Sequence, residues 1–361
     1  MHPTFWHGKR VLITGHTGFK GAWLCLLLNS LGARVAGYAL DPPTQPNLFE
    51  LARVDQLVDS AIGDVRDLQG IFDRVRESAP EFIFHMAAQS VVLLSYEDTV
   101  GTYSTNVIGT AHLLEAVRRS GSPCNVINVT TDKVYENKSL VRGYREDDEL
   151  GGHDPYSSSK ACSELVTRSY RSSFFPQSHW NEHRVALASA RAGNVIGGGD
   201  WTPRQLVPDA IQAFIQGQPV VLRHPGSVRP WQHVLDCLAG YLTLAEALAT
   251  EPQVYSGDWN FGPAEPEPRP VSYVVEALGS HWGLARAWEH DNVVNPPEQD
   301  LLTLDVTKTA TLLGRSSRLS LDESIRWVAD WYRGFHDGQD ARTLCADQID
   351  AYLAMDTGRP T

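Results

Sequence analysis

The chain has 361 residues, 42% of them hydrophobic and 20% charged, enough to bury a sizeable core in two domains or one large one. A net charge of −12 argues against a nucleic-acid or anionic-membrane surface, so any anionic ligand must be held by local arginines and helix ends. Five scattered cysteines and thirteen unpaired histidines give neither a disulfide frame nor a metal site.

In chain order, Arg10–Thr14 reads as a short buried parallel strand that runs into Gly15-His16-Thr17-Gly18-Phe19-Lys20-Gly21 and then the apolar helical stretch Ala22–Leu28. Strand, glycine turn and helix are the context of a dinucleotide fingerprint. The first glycine permits the turn, the second admits a pyrophosphate at the helix N-terminus, and the third lets the helix pack closely. A second strand, Ala33–Leu40, ends at Asp41. A carboxylate there would bond the adenosine ribose and repel a 2′-phosphate, which favours NAD over NADP. Phe82–His85, Val126–Thr130 and Val185–Ala190 are further strand-like runs, separated by helical stretches. The expected class is α/β, a doubly wound parallel sheet. After residue 190 Pro, Gly and Trp become denser, and 197–201 and 263–270 read as loops.

Tyr156 and Lys160 are one helical turn apart and share a face. An ammonium there is expected to favour the phenolate, and a Thr131 hydroxyl from a separate strand would share its hydrogen bond with the substrate alcohol. Such a set removes a carbinol proton while a nicotinamide takes the hydride. Cys162 lies about 120° round the same helix and is expected to be buried packing.

The G-x-x-G-x-x-G spacing with Tyr156-x-x-x-Lys160 resembles the extended short-chain dehydrogenase/reductase family along most of the chain. The resemblance implies a Rossmann domain (1–190 and about 230–258) and a smaller, discontinuous α/β domain for a nucleotide sugar (about 191–229 and 259–361). It implies NAD contacts from Gly15, His16, Thr17, Gly18, Phe19, Gly21, Asp41, Asp64, Val65, Ala87, Ala88, Asn106, Tyr156 and Lys160. Substrate contacts would come from Gln89, Asn194, Arg204 and Arg229, arginine suiting a diphosphate through its planar fork. Trp201 and Trp231 either flank the base or sugar or pack in the core. A homodimer or higher homo-oligomer is implied, pairing through the Tyr156 helix and the one near 104–119. The absence of a signal-peptide core and of a bilayer-length apolar run makes the cytoplasm the expected location.

Among nucleotide-sugar enzymes, epimerases need only the Thr, Tyr and Lys set, whereas 4,6-dehydratases add two groups after the threonine. Here these are Asp132 and Lys133, where related branches have a glutamate in the second place. With the stretches 14–21, 38–43, 130–137 and 151–160, this resembles the CDP-glucose 4,6-dehydratase branch, which feeds deoxysugars such as those of lipopolysaccharide O-antigen. The resemblance implies that Tyr156, Thr131 and Lys160 serve C4 oxidation and that Asp132, if protonated, is the general acid at the C6 hydroxyl. Lys133 is either the C5 base, a cation stabilising the enolate, or a partner for Asp132. Two alternatives remain: another nucleotide sugar or a C4 epimerase, and a non-catalytic NAD(H)-binding regulator.

Overall fold

The computed structural model describes residues 2–138, 140, 142–263, 269–291 and 301–355. Five strands appear in the expected places, β1 (Arg10–Thr14), β2 (Arg34–Ala39), β4 (Phe82–His85), β5 (Cys124–Val129) and β6 (Val185–Ala192), and an unexpected one, β3 (Asp59–Ile62), lies between β2 and β4 in the chain. A further strand, Gly257–Phe261, lies beyond β6 and completes a seven-stranded sheet ordered β3-β2-β1-β4-β5-β6-(257–261), every pairing parallel. This is a Rossmann sheet. Both faces are covered, which is why the central strands are buried along their length without polar alternation. One face carries the helices Phe19–Ser30 and Val234–Thr250, the other Leu68–Ser78, Gly109–Ser120 and Pro155–Ser173.

Strand order reverses between β1 and β4, and ligands of such sheets bind beyond the carboxyl ends at this switch point. Thr14 ends β1, His85 ends β4, and Thr131 lies two residues beyond β5. The first helix begins at Phe19, inside the glycine turn and three residues earlier than apolar periodicity suggests. The helix Pro155–Ser173 starts sharply, with Asp154 as N-cap and Pro155 at the first position.

After β6, short two-stranded pairings replace the large sheet. Val195–Ile196 pairs with Gln232–His233, Val228–Arg229 with Arg269–Pro270, and Val220–Leu222 with Trp288–His290. Of the expected loop 263–270, residues 264–268 lie outside the described residues, and 269–270 form an edge pairing instead. All five cysteines are free, and Cys162 is half-buried rather than buried. No described helix is long and apolar enough to cross a membrane.

Candidate active site

The glycine turn is built for close approach. Gly15 has φ +77°, and a Cβ there would lie 2.7 Å from the Ala87 amide nitrogen. A Cβ on Gly21 would collide with Gly15 O, so the third glycine packs the helix against the turn as expected. Gly18 is the N-cap of that helix; no side chain caps it, and a Cβ there would meet only Gly15 O, at 3.5 Å. The orphan amides of the helix's first turn are therefore available to an anion. Thr17 Oγ1 donates to Leu40 O at 2.8 Å, tying the turn to the end of β2, where Asp41 stands exposed. Phe19 packs near Gly197, and Val65 is buried against Gly109.

Two expected cofactor residues are placed differently. The His16 ring points inward: Nε2 lies 2.7 Å from Ser60 Oγ, the ring fills the space beside Gly37, and burial pushes its pKa down to about 4. Only its backbone faces the turn. Asp64 is clasped by Arg66 at 2.6 Å, and that guanidinium holds its carboxyl below the ordinary range.

On the opposite wall, Thr131 caps a short 3₁₀ turn, Asp132–Val134, and its Oγ1 lies 3.0 Å from Asp132 Oδ1. Asp132 is buried, its Oδ2 has no protein partner, and desolvation raises its pKa against the opposing charges of Lys133 and Arg229. Lys133 makes no ion pair within 4 Å of Asp132 among the described residues, but its charge is felt at that carboxyl. Burial pushes the Tyr156 phenol upward, and the nearby Thr131 hydroxyl opposes that shift. Lys160 Nζ donates to Val129 O at 3.1 Å, and burial rather than that ammonium dominates the phenol. Burial and the nearby Lys20 bring Lys160 itself down to about 8.

Behind this wall runs a hydrogen-bonded spine. Asn106 sits in a π-helical stretch, Ser104–Ile108; its Nδ2 donates to Gln89 O at 3.0 Å and Ser159 Oγ at 2.8 Å, and its Oδ1 accepts from Gln89 N. Thr14 Oγ1 accepts the Met86 and Ala87 amides, so its proton points at His85 Nδ1, 2.7 Å away. His85 Nε2–H then donates to Thr110 Oγ1 at 3.1 Å, whose own proton goes to Asn106 O. This wiring fixes the neutral tautomer, and burial brings His85 down to about 3.

The substrate-side residues divide. Asn194 is half-buried just beyond β6, with its side chain uncommitted and its carbonyl accepting from Gln232 N. Arg229 is buried and near enough to Asp132 for its charge to be felt there. Gln89 is turned away from a substrate role in this state: Nε2 donates to Thr102 and Oε1 accepts from Val91 N. Arg204 is exposed, at φ +65°, and pairs with Glu97 at 2.6 Å. Arg191 is not at the site at all but fully buried, paired with Glu164 at 3.0 Å and Asp258 at 3.3 Å. Trp201 packs edge-on against Tyr332, a core role.

The model of the NAD dependent epimerase/dehydratase family matches residues 11–262. The chain belongs to this family. A CDP-glucose 4,6-dehydratase from Salmonella typhimurium is 46% identical over 357 residues, covering 99% of each chain. A dTDP-glucose 4,6-dehydratase from Xanthomonas campestris is 27% identical, covering 89% of this chain and 92% of its own. Among solved structures, a Thermus thermophilus UDP-glucose 4-epimerase complexed with NAD is 26% identical with TM-score 0.75, covering 90% and 99%. This epimerase/dehydratase uses NAD, and the Gly15–Gly21 turn with its free helix amides suits a dinucleotide diphosphate.

Within the family member's site, sequence reasoning misses Ser95, Ser159 and Tyr241. Lys20 Nζ donates to Tyr241 OH at 3.1 Å, which brings a helix residue from the chain's second half beside the glycine turn. A lysine inside a glycine turn was the one available signal for that contact. Ser95 and Ser159 carry none, since buried serines have no periodicity of their own.

Proposed function

We propose that this enzyme dehydrates CDP-glucose to CDP-4-keto-6-deoxyglucose, a carbon–oxygen lyase reaction with internally recycled NAD. The observation that carries the reading is Asp132: a buried carboxyl beside Thr131 and Tyr156, raised by desolvation, with one oxygen unpartnered. A protonated acid at that place has a proton to give, which a simple C4 oxidation and return does not require. The 46% identity to a CDP-glucose 4,6-dehydratase supports the substrate.

Bound NAD supplies the hydride acceptor at C4 and the hydride donor at C6. Gly15, Thr17, Gly18, Phe19 and Gly21 would hold its diphosphate side, with the backbone of His16. Asp41 would hold the ribose, and Val65, Ala87, Ala88 and Asn106 would line the remaining contacts. Asp64 would act there only by exchanging Arg66 for the cofactor. Tyr156 takes the C4 hydroxyl proton, and Lys160, with donors left beyond Val129, stabilises the phenolate. Thr131 has a single proton. With Asp132 protonated, the carboxyl donates to Thr131, and Thr131 in turn donates towards Tyr156. Asp132 then releases its proton to the departing C6 hydroxyl. Lys133 would act at C5 either as the neutral amine that takes the proton or as the cation that stabilises the enolate. Asn194 and Arg229 hold the nucleotide diphosphate, and the 191–229 and 259–361 portions form the substrate domain.

Exposed Val100, Ile108 and Leu165 on adjacent helices support a homodimer through that face, and the cytoplasm is the proposed location. Incubation with CDP-, dTDP-, UDP- and GDP-linked hexoses tests the function. A 4-keto-6-deoxy product from CDP-glucose alone is expected. A C4 epimer without water loss, or no turnover despite bound NAD, rejects it.

A further inference from the structure

Tyr156 is held by more than its own helix. At the helix start Asp154 accepts from the Ser157 amide at 2.9 Å, its carbonyl takes the Ser158 amide, and Pro155 has no N–H to satisfy. The remaining first-turn donor is the amide of Tyr156 itself. It is taken by Ser95 Oγ at 3.1 Å, from the short helix Val92–Glu97. Ser95 is fully buried, and its own proton is committed to Val92 O at 2.6 Å, so a lone pair faces the Tyr156 amide. The short helix is also fastened at and beyond Ser95. Thr99 Oγ1 donates to Ser95 O at 2.9 Å, and Glu97 pairs with Arg204 on the substrate side.

We propose that Ser95 is a positioning residue for Tyr156: its hydroxyl fixes the first turn of the catalytic helix from an element that also touches the substrate side. The inference rests on Tyr156 being the acid–base residue of the proposed reaction. A phenol buried beside Thr131 has little room to find its geometry by sampling, and small misplacements of a reacting group are costly. Ser95 touches neither substrate nor cofactor in this account; it acts through the backbone from which Tyr156 projects.

The test compares wild type, Ser95→Ala, Ser95→Thr and Tyr156→Phe, with turnover of CDP-glucose counted per NAD-loaded site. Ser95→Ala should lose about tenfold in kcat with KM changed by less than about twofold, and Ser95→Thr should recover most of the loss. Amide exchange in a peptide covering residues 155–160 should be faster in Ser95→Ala than in wild type. If Ser95→Ala is too unstable to load NAD, Ser95→Cys keeps a weak acceptor and should show the same split at smaller amplitude. Wild-type kcat per loaded site in Ser95→Ala, or a loss carried only by KM or by NAD loading, overturns the proposal. Full turnover by Tyr156→Phe would instead overturn the acid–base assignment, which separates the two failures.

Discussion

The two walls of the cleft are built on opposite principles. On the catalytic wall nearly every polar group is buried and already bonded within the protein: Thr131 to Asp132, Lys160 to Val129, Tyr156 N to Ser95, Asn106 to Ser159. On the substrate wall Asn194 has an uncommitted side chain, and Arg204 spends its charge on an exposed pair with Glu97. In the proposed account the catalytic groups are held before a substrate arrives, while Asn194 and Arg204 remain adjustable. Preorganised donors on the first wall cost nothing to reorient at reaction, and exchangeable contacts on the second permit entry and release.

That contrast makes catalytic-wall substitutions severe and substrate-wall substitutions mild. Tyr156→Phe removes the proton acceptor and should lower turnover about 10³-fold while NAD remains bound, read by turnover and cofactor content in parallel. Asp132→Asn should suppress dehydration about 10²-fold, yet leave reduction of bound NAD by CDP-glucose visible in a single turnover. Unimpaired dehydration by Asp132→Asn would remove the general acid from the account.

The same variant should change stability in the other direction. The folded state raises the Asp132 pKa, so it binds that proton more tightly than the unfolded chain does. The resulting penalty is absent below the ordinary carboxyl range and grows as pH rises through that range towards the raised folded value. Asp132→Asn should therefore be more stable than wild type at neutral pH and lose that advantage in acid, as denaturant unfolding at the two pH values would show.

Arg191→Leu should cost about 3–5 kcal/mol in unfolding free energy, because it leaves Glu164 buried without its partner. Arg204→Gln is the mild case: an exposed pair contributes roughly 0–1 kcal/mol, so KM should rise by less than about fivefold with kcat near wild type. A large kcat loss in Arg204→Gln would mean that the substrate wall is as rigidly built as the catalytic one.

Much of this was legible in the sequence where the signal is local. The glycine spacing gave Gly15 and Gly21 their conformational and packing reasons, and the strand runs gave the parallel sheet. What escaped depends on contacts between distant segments. The inward turn of His16 depends on Ser60 and Gly37, and the clasp of Asp64 by Arg66 depends on loop geometry. The burial of Arg191 at the end of β6 is decided by Glu164 on a different helix, which no local pattern announces. That burial dominates the phenol of Tyr156, one turn from Lys160, is set by the packing around it, which helical spacing does not reveal. The π-helical turn at Asn106 breaks the 3.6 period on which helix reading rests.

The most direct measurement follows a label through the reaction. CDP-glucose deuterated at C4 should yield CDP-4-keto-6-deoxyglucose with deuterium at C6, because bound NAD carries the hydride between two carbons of one substrate. Product with the deuterium still at C4, or inverted at C4 with the C6 hydroxyl intact, would contradict the account.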